Sequence, residues 1–227
     1  MKTKGEILRT IEYVILIVVA AIALLPLFWL FVSSFKTDAD VIRFPPSFFP
    51  AKWVLDQYQY VLEAIPFLRM LLNTVVFAGS VTLISLCIDS LAAYAFARLQ
   101  FKGRRVIFAI ILVTMMVPFQ VIMTPLYIEE FKLHILNTFA GLILPRIASA
   151  YGIYMLTSFF AGIPKSLEEA ARIDGMGDLT IYAQIIIPLS KPALISLGIF
   201  HFMNNWNDLL YPMMLTSDVN MRTLSAG

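Results

Sequence analysis

Long apolar runs separated by short polar stretches set the pattern of this 227-residue chain. A helix needs about 20 apolar residues to cross the hydrocarbon of a bilayer. Five runs reach that length, over roughly 13–35, 71–97, 106–128, 139–161 and 192–214. The pattern predicts an all-α, polytopic membrane helix bundle, a single transmembrane domain over residues 1–227. The first run follows Lys2, Lys4 and Arg9 and so looks like a secretion signal. It is too long for one and lacks a small-residue cleavage site, so it reads as a retained membrane helix.

Composition agrees with this reading. The chain is 59% hydrophobic and 14% charged, whereas a soluble domain carries about a quarter charged residues. Its net charge of +2 comes without any long Lys/Arg block, which gives nucleic acid no footing. Cys87, the only cysteine, lies within an apolar run. An intrachain disulfide and a Cys-based metal site are excluded, and a buried, inert thiol is expected.

Loop charge predicts the orientation. Segment 98–105 holds Arg98, Lys102, Arg104 and Arg105 and no acid, and the N-terminal tail holds three cations. Segment 129–138 sets Glu129 and Glu130 against Lys132. By the positive-inside rule the N-terminus and 98–105 are cytoplasmic, 36–69 and 129–138 are outside, and alternation puts 162–191 inside. In the Pro-rich stretch 36–69, Trp53, Tyr58 and Tyr60 suit a membrane–water boundary.

Several spans carry groups that lipid does not tolerate. Asp89 lies in the second, Pro118 and Gln120 in the third, Pro145 and Arg146 in the fourth. Such groups face other helices or a wet cavity, because unpaired polar atoms in hydrocarbon cost several kcal/mol. Singly they read equally well as packing contacts or kinks; together they favour a translocation path. The fifth run contains Asn204, Asn205, Trp206, Asn207 and Asp208. Amides and a carboxylate beside an indole suit a sugar, whose hydroxyls take hydrogen bonds while the ring covers a C–H face. A polar patch at the outer interface, with Trp206 as a belt residue, fits these residues as well.

The most patterned polar segment is 164–192, PKSLEEAARIDGMGDLTIYAQIIIPLSKP. Ser166 and Glu169 have capping-box spacing, which predicts a short helix from Leu167. Gly175 is placed to end it in a left-handed cap. Asp178 is placed to cap a second helix running toward Pro188. Ala170 and Ala171 leave a nearly flat face that another protein can approach. A two-turn helix of this kind needs a partner surface to hold it.

Glu169-Ala170-Ala171, then Gly175, then Ile185-x-Ile187-Pro188 resembles the EAA loop of ABC importer permeases. PPSFFPAKWVLDQY, SLAAYAFARLQFKGR, MMVPFQVIMTPLYI and NNWNDLLYP resemble the carbohydrate branch of that family, which includes the maltose and glycerol-phosphate permeases. The only departure in the loop is Ile187 where leucine is commoner. The resemblance implies a type I importer permease in the bacterial inner membrane, importing a sugar, an oligosaccharide or a related polyol or glycerol phosphate. It implies as partners a second permease subunit, two ABC ATPase subunits, an extracytoplasmic solute-binding protein and the bilayer. It assigns Glu168, Glu169, Ala170, Ala171, Asp174, Gly175 and Pro188 to ATPase coupling, with capping alone as the other reading of Glu169. Gln120, Asn204, Asn205, Trp206, Asn207 and Asp208 become the candidate solute path. The family's sixth span leads us to expect a further apolar run beyond Gly227.

The chain has no G-x-x-x-x-G-K-[ST] for a nucleotide. ATP and Mg are therefore expected in the partner ATPase, and no cofactor, metal or catalytic residue is assigned here. A secondary transporter would show paired broken helices in inverted repeats, and no motif recurs. A membrane enzyme would need a catalytic constellation, yet the only histidines are His134 and His201.

Overall fold

The computed structural model describes residues 4–227, and Lys2 of the cationic tail lies outside the described residues. Every described regular element is helical, and the chain divides into two compact units, Met1–Ile65 and Pro66–Gly227.

In the first unit α1 (Lys4–Ser33) is exposed at every side chain from Leu8 to Leu27. A helix apolar on all sides is at home in lipid and not on a water-facing surface. After it, α2 (Asp38–Val41) and α3 (Asp56–Ala64) flank the Pro-rich stretch. Lys36 is buried there, donating to the Ser47 carbonyl at 2.7 Å and lying 4.1 Å from the Trp29 ring centroid.

The second unit is built on α4 (Phe67–Arg98). Its 32 residues rise about 48 Å at 1.5 Å each, well beyond the ~30 Å of hydrocarbon. Buried positions 70, 73, 74, 77, 78, 81, 82, 85 and 89 recur every three or four residues, so one stripe of α4 faces the bundle. The opposite face is exposed and includes Cys87, which corrects the expectation of a buried thiol.

Around α4 stand α5 (Arg104–Thr114), α6 (Phe119–Lys132), α7 (Phe139–Ile143) and α8 (Ala150–Ala161). They are followed by α9 (Lys165–Ile173), α10 (Asp178–Ile181), a π-helical turn over Tyr182–Ile186, α11 (Ile187–Leu189), α12 (Lys191–Trp206) and α13 (Leu210–Leu215). Among the described residues two helices, Leu8–Ser33 and Phe67–Arg98, are long and apolar enough to cross a membrane unbroken. The third and fourth expected spans are broken, with α5 and α6 meeting at 98° and the α7 segment and α8 at 41°, and α12, which opens the fifth, meets Asp178–Leu189 at 79°. Counting each bent pair as one span gives up to five. Pro118, extended and without an N–H, separates α5 from α6. The fifth run stops at Trp206, short of the expected 214, because Asn207 donates to the Met203 carbonyl and Asp208 accepts from Tyr211 N to start α13.

Two packed cores hold this unit. One joins Ala93, Tyr94, Phe160, Ala171, Ile181 and Ile186; the other joins Phe77, Val81, Leu142, Tyr211 and Leu215. The same contacts sort the loops by end. Segments 98–105 and 162–191 meet at one end through Arg98, while Asn137 accepts from Ser217 N at 2.7 Å at the other.

Candidate functional site

The first candidate site is the end of the molecule formed by α9. Its helix opens at Lys165, with Pro164 as its cap and no side-chain cap. The expected capping box of Ser166 and Glu169 does not form, because the fixed φ of Pro164 starts the helix two residues early. The stop is as expected. Gly175 has φ +81°, its N–H reaches the Arg172 carbonyl at 3.0 Å, and Met176 N reaches the Ala171 carbonyl at 2.9 Å. This is a Schellman motif, with Met176 packed beside the core that holds Ala171. Asp178 makes no cap; Gly177 occupies that position and Asp178 pairs with Arg172 at 2.5 Å, both half exposed. The wide turn before Pro188 lies where proline has no N–H to offer the carbonyl four residues back.

The proposed contact residues fall on two faces. Glu169, Ala170, Asp174, Gly175 and Pro188 are exposed, together with Ile173 at 87%. Glu168 and Ala171 point inward, Ala171 with 4% exposure. The flat alanine face is thus divided: Ala170 is free to meet another protein and Ala171 packs within this one.

Glu168 is held by Arg98, the last residue of α4. Nε and Oε1 lie 2.7 Å apart, with side chains 2% and 8% exposed. The approach falls outside hydrogen-bond geometry and acts as a charge contact. The Arg98 Nη2 donates to the carbonyls of Phe160 and Ile163, each at 2.6 Å. Further along, the Ser90 and Tyr182 hydroxyls are 2.7 Å apart and the Tyr94 and Tyr182 rings 5.4 Å.

The second candidate site is a polar cluster deep in the bundle. Asp89, fully buried, accepts from Ser149 N at 2.8 Å and meets His201 Nε2 at 3.2 Å. Arg146 donates to Asn205 Oδ1 at 2.9 Å, pairs with Asp208 at 2.5 Å, and sits 4.0 Å over the Tyr211 ring. Asn205 in turn donates to the His201 carbonyl at 2.8 Å. A cavity of about 370 Å³ opens between Arg146, Ser149, His201, Asn204, Asn205 and Asp208.

Of the expected solute-path residues, Asn204, Asn205 and Asp208 line this cavity. Trp206 instead stacks on Phe202 with centroids 5.4 Å apart, Asn207 is exposed and bonds within its own helix, and Gln120 is exposed on α6. Asp89 and Arg146, two of the in-span polar groups expected along a translocation path, meet here, and the structure adds Ser149 and His201. The signal for His201 was present in the sequence: His201, Asn205 and Asp208 have i, i+4, i+7 spacing and share one face. Arg98, expected among the cations of the loop, ends α4 instead, because no helix breaker stands between it and the second run.

The fold and these two sites define an all-helical membrane transport protein. Residues 90–227, more than half of the chain, match the family described as the binding-protein-dependent transport system inner membrane component. The chain belongs to that family: it is an inner-membrane ABC transporter permease, a transport subunit and not an enzyme. It is 33% identical to the arabinooligosaccharides transport system permease protein AraQ of Halalkalibacterium halodurans, over 92% of this chain and 76% of the relative. It is 33% identical to the sn-glycerol-3-phosphate transport system permease protein UgpE of Salmonella typhi, over 97% of this chain and 80% of the relative. It is 31% identical to the diacetylchitobiose uptake system permease protein NgcG of Streptomyces coelicolor, over 96% and 72%. Among solved structures, a bacterial ABC transporter involved in the import of the acidic polysaccharide alginate superposes with a TM-score of 0.83 at 28% identity, covering 97% of this chain and 79% of that one.

Proposed function

We propose that this chain is a membrane-spanning subunit of an ATP-driven importer for a sugar or oligosaccharide, or a related polyol or glycerol phosphate. In this reading residues 1–227 form one permease domain, 162–191 is its coupling loop, and α9 docks on a separate ATPase. The observation that carries the proposal is the way α9 is presented. Its inner face is fixed by Glu168 and Ala171, while Glu169, Ala170 and Ile173, with Gly175 just after the helix, stand exposed. A short helix held from behind, with an apolar residue at 87% exposure, is shaped to enter a groove on another protein.

The family works with an ATPase partner and a binding protein. The finer assembly is a second permease subunit, two ATPase subunits that bind Mg and ATP, and a solute-binding protein outside. The N-terminus and 98–105 are cytoplasmic by their cations, and 162–191 is cytoplasmic with them, in accord with its contact with 98–105 through Arg98. The cavity beside Arg146, Asn204, Asn205 and Asp208 is the solute path through this subunit. Relatives named for arabinooligosaccharides, diacetylchitobiose and sn-glycerol 3-phosphate set the range of cargo.

The test is uptake by the reconstituted complex, with each of those three solutes delivered by the cognate binding protein. Uptake is expected to require ATP inside the vesicle and to saturate with one of the carbohydrates or the phosphate ester. Uptake driven by an ion gradient with no ATP would contradict the proposal.

A further inference from the structure

We infer that Arg98 is the positioning residue that makes α9 move as one body with α4 and α8. The inference rests on the reading of α9 as the ATPase contact. Three elements converge on this one guanidinium: α4, which supplies it; the C-terminal end of α8 and the turn after it, whose Phe160 and Ile163 carbonyls accept from it; and α9, which brings Glu168. The last carbonyls of a helix have no partners within it and favour a cation nearby. Arg98 brings its charge to that end, beside the Ile163 N–H that already reaches the Phe160 carbonyl at 3.1 Å, and still has Nε facing the carboxylate. A lysine, with one ammonium, lacks the reach to serve all three elements.

A buried ion pair adds little net stability compared with an apolar pair of the same shape. Its effect is geometric, because separating the charges would leave one of them buried alone. The pair therefore resists opening at a place where force would be applied. The Ser90–Tyr182 contact is a second attachment, eight residues and about 12 Å further along α4. Held at both points, the segment 165–186 cannot swing relative to α4 unless one contact breaks. The two neighbouring glutamates thus divide the work: Glu169 faces outward toward a partner, and Glu168 transmits inward.

The experiment uses the whole complex in proteoliposomes, with solute uptake and ATP hydrolysis measured together. Glu168→Gln keeps the shape of the side chain and leaves Arg98 bound to both carbonyls. It should retain the ATPase in full while lowering solute moved per ATP hydrolysed by roughly fivefold or more, the usual scale of a coupling term. Arg98→Lys should lower the same ratio to a smaller extent. An unchanged ratio in both variants would overturn the inference. So would loss of the ATPase from Glu168→Gln, because that outcome puts Glu168 on the docking surface. Ile173→Asp separates the two levels. If it fails to release the ATPase, the docking reading of α9 is wrong; if it releases the ATPase while Glu168→Gln couples normally, only the role of Arg98 is wrong.

Discussion

Gly152 lies directly against the carboxylate of Asp89. A Cβ on Gly152 would overlap Asp89 Oδ2 and come 3.2 Å from His201 Nε2. Asp89 has little room to yield, since its other oxygen accepts from Ser149 N and both residues sit between packed helices. Gly152→Ala should therefore cost about 1–3 kcal/mol through overpacking, seen as a lower melting temperature of the detergent-solubilised protein. Gly79→Ala, on α4 where nothing lies within 4 Å of an added Cβ, is the control and should change little. Equal effects of the two would show that the Asp89–Gly152 contact is not tight.

Arg146 and Asp208 should behave as a unit. Their side chains are about one-fifth exposed, and Arg146 also holds Asn205. Either residue changed to alanine leaves the other partly buried without its charge partner, costing about 1–3 kcal/mol. The double variant should cost less than the sum of the singles, the signature of direct coupling. Stability and uptake measured on all four proteins check this; additive effects would refute it.

Glu130 is buried near the end of α6, and neither carboxyl oxygen has a hydrogen-bond partner among the described residues. Burying such a group unpaired costs about 1–3 kcal/mol. Glu130→Met, of similar length and apolar, should raise the melting temperature. A fall would mean that the carboxyl finds a partner in the assembled complex.

Orientation can be tested with thiols once Cys87, exposed on α4, is replaced by serine. Ile42→Cys, at a side chain 84% exposed, should react with an impermeant reagent applied from outside, and Lys165→Cys should not. The reverse pattern would invert the topology and place α9 on the wrong side for an ATPase.

Much of this was legible in the sequence, and the failures have physical causes. Apolar length gave the transmembrane runs, and Gly175 announced the helix stop because only glycine adopts φ +81° there without cost. The turn between α5 and α6 was visible as Pro118, but its 98° angle was not, since proline marks a break without fixing its size. Ser166 and Glu169 suggested a capping box, yet Pro164 had already started the helix. Ala170 and Ala171 looked alike in sequence; the 100° step between neighbours on a helix puts one outside and the other in the core. Arg98 reaching Glu168, and His201 reaching Asp89, join residues 70 and 112 positions apart. No local pattern encodes such pairs.

If α9 is the contact with the ATPase, Ala170 and Ala171 should respond differently to the same substitution. The measurement is recovery of the ATPase with affinity-purified permease, alongside permease abundance in the membrane. Ala170→Asp places a carboxylate on the exposed tip. It should leave abundance unchanged and remove the ATPase, because a charge desolvated in a contact costs several kcal/mol unless paired. Ala171→Asp puts the same charge in the permease's own core and should reduce abundance itself. Full recovery of the ATPase with Ala170→Asp would contradict the account.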